Sequence, residues 1–193
     1  MEIKYLGDQS IFIKGKKENI LVNPSAEVLN SKKLTGRIIA FTNKENDSLG
    51  LDKERVILRG PGEYEIGGVE ILGINAGSGK TVYIVSIDGV NLFVTDELKE
   101  ELSEKKIEKI NAVDVMMISI KENTGVGHKQ IIELAKKLGA NYLVPIDFKW
   151  KDEVITKFLD TVDSEVSEPL DALKIDKKED LPEGKEVVVL KAA

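Results

Sequence analysis

The sequence predicts an α/β (α+β) fold of four layers, an αββα sandwich in which two β-sheets pack face to face and helices cover the outside. Three observations predict it. The first 96 residues contain short apolar runs separated by turn residues. After Thr95-Asp96 the apolar period lengthens from two residues to about 3.6, the period of a helix. The remainder alternates strands with helices and has no low-complexity linker, so we expect a single domain over residues 1–193.

Turn residues predict an antiparallel meander for the first three strands, Ile3–Leu6, Ser10–Lys14 and Asn19–Val22, and hairpins further along the chain. Gly67-Gly68 and Asp88-Gly89 are strong two-residue hairpin signals. Gly77-Ser78-Gly79-Lys80-Thr81 contains a Gly-Lys-Thr triplet, but Ile74 stands where a phosphate-binding loop needs its first glycine, so we predict a hairpin there as well. The predicted strands are Ile3–Leu6, Ser10–Lys14, Asn19–Val22, Ile38–Phe41, Arg55–Leu58, Tyr64–Ile66, Val69–Ile74, Val82–Ile87 and Val90–Val94.

Helical periodicity and buried strands organise the second part. An apolar stripe of Leu98, Leu102, Ile107 and Ile110 predicts a helix. Val115–Ile120 is a continuous apolar run, which is typical of a strand buried on both faces. The remaining predicted elements are helices at Lys129–Leu138 and Asp152–Val162, and strands at Tyr142–Ile146 and Glu186–Leu190.

Composition limits the class of protein. The chain has 28 basic and 34 acidic residues, a net charge of −6, which argues against a general nucleic-acid binder. No apolar run approaches the roughly 20 residues of a membrane span, so we expect no membrane association and a cytoplasmic protein. The chain has no Cys and one His, so the two strongest zinc ligands are almost absent from it.

Several short motifs carry a family resemblance over nearly the whole chain. Their order and spacing resemble the metallo-β-lactamase superfamily, and within it the small metal-dependent hydrolases similar to ascorbate-phosphate lactonase. The most specific motif is the Pro-Gly-Glu-Tyr-Glu-Ile run at 61–66. The motifs are Leu6-Gly7-Asp8-Gln9-Ser10, Leu21-Val22-Asn23-Pro24, Thr42 to Ser48, Gly60 to Val69, Thr95-Asp96 and Val144-Pro145-Ile146-Asp147.

The resemblance also implies where a dinuclear metal site would lie. The family carries a histidine-rich loop after its fourth strand, a bridging aspartate and further histidines at neighbouring strand ends. The third histidine of the first metal falls near Ala76–Ser78, where this chain has none, and the aspartate before the proline falls on Asn23. The other matching positions are Asp8, Asn43, Glu45, Asp47, Ser48, Asp96 and Asp147.

Every imidazole of that pattern is replaced, so we predict a vestigial site with no confident catalytic residue and no zinc. Hydrolases of this type lower the pKa of a bound water with a pair of cations, and imidazole is what makes such a site favour zinc. Oxygen donors alone suit Mg, Mn or Ca, which remain open as alternatives. If the carboxylates are a solvated vestige, we expect Lys44 or Lys149 to be their partners. His128 lies away from every matching position and is interpreted as structural.

Three functions remain open at this point. The first is a non-catalytic member of the fold, a pseudoenzyme that binds a small ligand or a protein. The second is a hydrolase of a phosphoester or lactone that uses a cation held by carboxylates. The third is a structural protein whose sandwich supports a homo-oligomer, for which an exposed C-terminal sheet edge would serve.

Overall fold

Two mixed β-sheets face each other in the computed structural model, which describes residues 1–30, 34–43, 55–121 and 125–193. The strands are β1 Glu2–Tyr5, β2 Ile11–Lys14, β3 Asn19–Val22, β4 Ile38–Phe41, β5 Val56–Arg59, β6 Gly62–Ile66, β7 Val69–Gly77, β8 Lys80–Ile87, β9 Val90–Val94, β10 Val115–Ser119, β11 Tyr142–Ile146, β12 Leu173–Lys174 and β13 Glu186–Val187. The helices are α1 Ala26–Asn30, α2 Glu104–Ile107, α3 His128–Leu138 and α4 Glu153–Val162, with a 3-10 turn at Lys178–Asp180.

Each sheet combines antiparallel and parallel pairing. The six-stranded sheet has the order β12-β1-β2-β3-β4-β5, and the seven-stranded sheet has the order β13-β11-β10-β9-β8-β7-β6. Strands β3, β4 and β5 run parallel to one another, as do β9, β10, β11 and β13. Each sheet therefore contains a group of neighbouring strands whose carboxyl ends lie at the same edge.

The apolar residues form three clusters that correspond to the layers. The largest cluster lies between the two sheets and includes Ile13, Val85 and Met117. A second cluster joins the seven-stranded sheet to α3 and α4, and the smallest joins the six-stranded sheet to α1. These clusters confirm the predicted αββα sandwich, because burial between sheets and beneath helices on both sides requires four layers.

The predicted hairpins and the antiparallel meander of β1, β2 and β3 are confirmed. Two-residue turns connect β6 to β7, β7 to β8 and β8 to β9. Ser78 and Gly79 both have positive φ, 47° and 76°, as a tight hairpin with a right-handed twist needs. Strand β4 pairs in parallel with β3 and β5, a pairing for which the sequence made no prediction. The connections before and after β4 are long. Parallel strands need such crossover connections, because the chain has to return to the same end of the sheet.

The helix predicted from Leu98 to Ile110 is much shorter in the structure. Only Glu104–Ile107 is α-helical, and it begins after Ser103 in an extended conformation. Leu98 and Leu102 are buried although they lie outside the helix. Their apolar stripe thus indicates burial rather than helical backbone. Within the described ranges, no helix has the length and hydropathy needed to cross a membrane.

Candidate functional site

The parallel strands of both sheets end at one edge of the sandwich, and the polar residues that follow them meet there. Thr95 and Asp96 follow β9, Ser119 ends β10 and Asp147 follows β11. The peptide N–H of Ser119 donates to the carbonyl of Asp96 over 3.4 Å, and its hydroxyl donates to Asp147 Oδ2 over 3.1 Å. Ser119 therefore connects the ends of three neighbouring strands.

The six-stranded sheet contributes the other side of this edge. Asn23 follows β3, and Thr42 and Asn43 follow β4. Asn43 forms an antiparallel bridge with Lys80, and the peptide N–H of Thr81 donates to the carbonyl of Thr42 over 2.8 Å. The end of β4 is thus bonded to the start of β8, which joins the two sheets at the site.

A buried ion pair lies at this junction. Nζ of Lys80 donates to Oδ2 of Asp96 over 2.5 Å, and its distance to Oε1 of Glu97 is 3.7 Å. The side chain of Asp96 is fully buried and that of Lys80 is 8% exposed. Glu97, in contrast, makes its short contact with the exposed Lys99, at 2.5 Å. The Lys80 ammonium therefore compensates the Asp96 carboxylate inside the protein.

Burial and charge act in opposite directions on Asp96. Burial raises the pKa of its carboxyl above the usual range, while the ammonium of Lys80 and, to a smaller extent, the hydroxyl of Thr42 lower it. The first effect is the larger one. Within the described part of the chain, Oδ1 of Asp96 and the hydroxyl of Thr95 are buried without a hydrogen-bond partner. Desolvation without full compensation is the physical reason for the raised pKa.

Asn23 is held by its own side-chain amide. Its Nδ2 donates to the Thr42 hydroxyl over 2.8 Å, and its Oδ1 accepts from the Thr42 peptide N–H over 2.9 Å. The Ser10 hydroxyl donates to the Asn23 carbonyl over 2.6 Å. Asn23 has a positive φ of 45°, a conformation that Asn tolerates better than most residues. An amide serves here because one side chain both donates and accepts, which a carboxylate cannot do.

Tyr5 connects two of the predicted site residues through the backbone. Its hydroxyl donates to the carbonyl of Asp8 over 3.0 Å and accepts from the peptide N–H of Asp147, also over 3.0 Å. The Asp147 carboxylate accepts from Gln9 Nε2 over 3.1 Å in addition to Ser119. Asp8 itself is exposed. Asp147 is therefore a hydrogen-bonded member of this edge, while the Asp8 side chain lies at its surface.

The structure gives different places to the residues predicted from the resemblance. Lys80 lies between Asn43, its bridge partner, and Asp96, and Ser119 connects Asp96 to Asp147. Lys80 is a cation paired with Asp96, and Asp96 is buried rather than solvated. The positions that fall outside the described residues are Glu45, Asp47 and Ser48, together with Lys44.

The donors at this edge do not fit a zinc ion. Across the described ranges, no three His, Cys, Asp or Glu side chains are grouped so that they could share a metal. The whole chain has no Cys and a single His. The carboxylate best placed for a cation, Asp96, is already bonded to an ammonium. Zinc sites in proteins are usually built on imidazole or thiolate ligands, and the described residues of this edge offer amides, hydroxyls, the hydrogen-bonded carboxylate of Asp147 and the ion-paired carboxylate of Asp96.

The only histidine is used in packing. His128 begins α3, and its Nε2 lies 2.9 Å from the carbonyl oxygen of Ile120. A carbonyl only accepts, so Nε2 carries the proton. The ring meets that of Phe158 edge to face at 5.4 Å. These contacts support the structural interpretation of His128.

Sequence reasoning missed the cation of the site. Lys80 was considered only as part of a phosphate-loop look-alike, and Tyr5 and Ser119 only as strand residues. One signal could have indicated Lys80: it directly follows a hairpin turn and lies two residues before the apolar run Val82 to Ile87, where a strand enters the core. The hairpin predicted at Asp88-Gly89 has a register that places Lys80 opposite Glu97, next to Asp96, so the proximity of the pair could have been predicted from the sequence, whereas its burial could not.

The two facing sheets, with polar residues gathered where their parallel strands end, define a metallo-β-lactamase-like sandwich. The sequence profile of the β-lactamase superfamily domain matches residues 2–147, and the chain belongs to that family. No curated protein matches the sequence.

Solved structures share the fold at low identity. A candidate Zn-dependent hydrolase of the metallo-β-lactamase superfamily from Thermotoga maritima superimposes with a TM-score of 0.82 at 22% identity, over 98% of each chain. Igni18, a metallo hydrolase from the archaeon Ignicoccus hospitalis, gives 0.68 at 15% identity, over 92% of this chain and 99% of Igni18. YhfI, a metallo-β-lactamase fold protein from Bacillus subtilis, gives 0.63 at 9% identity, over 99% of this chain and 97% of YhfI. At these identities the likeness concerns the fold.

Proposed function

We propose that this chain is a metal-independent, non-hydrolytic member of its family that acts by binding a small ligand or a protein partner. The observation that carries the proposal is the buried pair of Lys80 and Asp96, with Nζ and Oδ2 2.5 Å apart. A hydrolase of this fold needs that carboxylate for a cation that activates water. Here the Lys80 ammonium is paired with that carboxylate. An ammonium, unlike a metal ion, cannot lower the pKa of a bound water to neutrality.

The neighbouring positions support the same conclusion. Both polar side-chain atoms of Asn23 form hydrogen bonds with Thr42. The Asp147 carboxylate accepts hydrogen bonds from Gln9 and Ser119. Side chains that are committed to one another stabilise the edge of the sandwich. They are not available as a set for the coordination of two metal ions.

One observation favours a second candidate. Oδ1 of Asp96 is buried and lacks a hydrogen-bond partner among the described residues. A free carboxylate oxygen is the donor that Mg, Mn or Ca prefers, so a hydrolase of a phosphoester or lactone with a cation held by carboxylates is the alternative.

Metal content and turnover separate the two candidates. Protein purified without chelators is analysed for bound metals by mass spectrometry, titrated calorimetrically with Zn, Mn, Mg and Ca, and assayed on a phosphodiester and a lactone. The proposal expects no stoichiometric metal, no turnover and no binding tighter than a Kd of about 1 mM. Micromolar binding of any of these ions, or metal-dependent turnover, would favour the alternative. The solution mass, measured in parallel, tests whether the chain forms a homo-oligomer.

A further inference from the structure

We propose that the free edge of β6, together with the groove beside it on the outer face of the seven-stranded sheet, docks an extended basic peptide that adds a strand next to Glu63 and Glu65. The groove has a volume of about 440 Å³, and neither Lys80 nor Asp96 lines it. This surface is separate from the site at Asp96, so the proposal goes beyond the proposed function. It gives a role to the Pro-Gly-Glu-Tyr-Glu-Ile run at 61–66, which the site at Asp96 does not use.

The edge of β6 offers free backbone groups. Strand β6 is the last strand of its sheet and, among the described residues, pairs only with β7. The two-residue turn Gly67-Gly68 joins the two strands, so Ile66 and Val69 close the hairpin as a hydrogen-bonded pair. Hydrogen-bonded and non-hydrogen-bonded pairs alternate along an antiparallel ladder, so the N–H and C=O groups of Glu63 and Glu65 point away from β7. An added strand would pair with these groups.

The groove beside this edge is mostly acidic. Tyr64 packs against the core between the sheets, so the alternating side chains of Glu63 and Glu65 lie on the outer face. The register places Glu65 opposite Glu70 on β7, and both side chains are exposed. Three carboxylates, those of Glu63, Glu65 and Glu70, line the groove together with one ammonium, that of Lys109.

The three carboxylates are not compensated within the part of the chain that the structure describes. None of them has an ion-pair partner there. Glu65 and Glu70 form a non-hydrogen-bonded cross-strand pair, the kind that brings side chains closest together. Like charges directly opposite each other destabilise a sheet. A basic side chain from outside would offset this repulsion, so charge complementarity selects a basic partner.

The alternation of β6 also defines the sequence of the partner. In an antiparallel strand added to β6, the residues directly opposite Glu63 and Glu65 share their face of the sheet. Lys or Arg at these two positions would form cross-strand ion pairs. The residue between them lies opposite Tyr64, on the face turned towards the core, and is expected to be apolar. The partner is thus an extended segment in which basic and apolar residues alternate.

A second copy of the chain does not fit this edge. If two β6 strands paired antiparallel about Tyr64, Glu63 of each copy would face Glu65 of the other, so like charges would meet twice. The net charge of −6 adds to this repulsion. The glutamates therefore oppose self-association and favour a basic occupant.

Three short fluorescein-labelled peptides test the proposal on the wild-type protein by fluorescence anisotropy. We expect a peptide in which Lys and Val alternate to bind at least about tenfold more tightly than one in which Glu replaces Lys. A third peptide, methylated at the peptide nitrogens of its lysines, keeps the charges but loses the N–H donors, so it should also bind at least about tenfold more weakly than the first. In the complex with the Lys-Val peptide, hydrogen exchange of the Glu63 and Glu65 amides should slow.

Charge reversal on the protein gives an independent test. Glu63→Lys/Glu65→Lys should bind the Lys-Val peptide at least about tenfold more weakly than the wild type and should prefer the Glu-Val peptide. Glu168→Lys/Glu183→Lys is the matched control, because it changes the net charge equally at two exposed glutamates that do not line the groove. It should bind the Lys-Val peptide as the wild type does. All four positions are exposed, so both variants should keep the wild-type circular dichroism spectrum.

Four outcomes would overturn the proposal. The wild type could bind the Lys-Val and Glu-Val peptides equally, or neither of them. Equal binding of the methylated peptide would show attraction of charges without an added strand. Equal losses in the charge-reversal variant and its control would reflect net charge alone. A dimeric wild type that Glu65→Lys dissociates would assign the edge to a second copy. None of these results concerns metal content or turnover, so the proposed function is tested separately.

Discussion

Lys80 and Asp96 form an ion pair with a distance of 2.5 Å between Nζ and Oδ2, at a point where neither side chain has much access to water. The pair connects the start of β8 to the end of β9, and Lys80 is in turn bridged to the end of β4. The same side chain thus neutralises a buried carboxylate and lies at the junction of the two sheets. Charge compensation and the joining of the sheets are combined at one residue.

Removal of either member alone should be far more destabilising than removal of both. Lys80→Met leaves an uncompensated buried carboxylate, and we expect the free energy of unfolding to fall by about 3–5 kcal/mol. The double variant Lys80→Met/Asp96→Asn leaves no buried charge and should recover most of the loss. Urea denaturation of the two single variants and the double variant measures the coupling. Lys99→Ala, at an exposed pair, should change stability by less than about 1 kcal/mol. Additive losses at Lys80 and Asp96 would show that the two side chains do not interact.

Local sequence patterns predicted the parts of the fold that depend on neighbours in the chain. Asp88-Gly89 indicated its hairpin because the turn itself requires positive φ, and the apolar run at β10 indicated a strand buried on both faces. The parallel pairing of β4 with β3 and β5 depends on distant residues, and a local pattern does not encode it. The resemblance located Asp96 and the local hairpin brings Lys80 beside it, but the burial that makes them an ion pair inside the protein depends on the other sheet.

The interpretation of Asn23 shows the same limit in the site. Its position was identified by the family motif, where it replaces an aspartate. Its role follows from geometry alone, because the two atoms of its amide match the hydroxyl and the peptide N–H of Thr42. The amide at this position accepts from the peptide N–H of Thr42, as an aspartate could, and in addition donates to the Thr42 hydroxyl, which a carboxylate cannot do.

Asn23 should tolerate Gly better than Ala. Asn23→Gly removes two buried hydrogen bonds to Thr42, and we expect a loss of about 1–3 kcal/mol. Asn23→Ala loses the same bonds and keeps a β-carbon at a φ of 45°, which Gly does not have, so we expect the Ala variant to be less stable than the Gly variant by about 1–2 kcal/mol. Thermal or urea unfolding of the two variants isolates the backbone contribution. Equal stability of the two would contradict the assignment of a left-handed backbone at this position.

Tyr5→Phe should loosen the connection between the loops that carry Asp8 and Asp147. The hydroxyl accepts from the peptide N–H of Asp147, so its removal leaves a backbone donor unpaired, at a cost of about 1–3 kcal/mol. Hydrogen exchange of the Asp147 amide should accelerate in the variant. Tyr64→Phe is the control, because the Tyr64 hydroxyl contacts its acceptors only at 3.5 Å. An Asp147 amide that exchanges equally slowly in both variants would refute the connection.

His128→Ala should affect stability and leave ion binding unchanged. The variant loses the contact of Nε2 with the Ile120 carbonyl and the edge-to-face contact with Phe158, so we expect a loss of about 1–3 kcal/mol. His128→Phe keeps an aromatic ring at this position and should recover part of the lost stability. Calorimetric titration with Zn gives the second measurement. If the wild type binds Zn and His128→Ala does not, the histidine is a ligand and its structural interpretation is wrong.

The two most deeply buried tyrosines, Tyr5 and Tyr83, should ionise late. Burial raises the pKa of both Tyr5 and Tyr83 from 10.0 to about 12, because each phenol is removed from water and the charged form is disfavoured. Since the folded state favours the neutral phenols, their contribution to stability is fully present below pH 10 and is lost as the pH rises towards about 12. Absorbance at the tyrosinate band, recorded with circular dichroism at each pH, follows both events. In Tyr5→Phe and in Tyr83→Phe one late-ionising group should disappear, whereas Tyr64→Phe should leave both. Ionisation of all four tyrosines in one step near pH 10, in a protein that is still folded, would contradict the burial of these two rings.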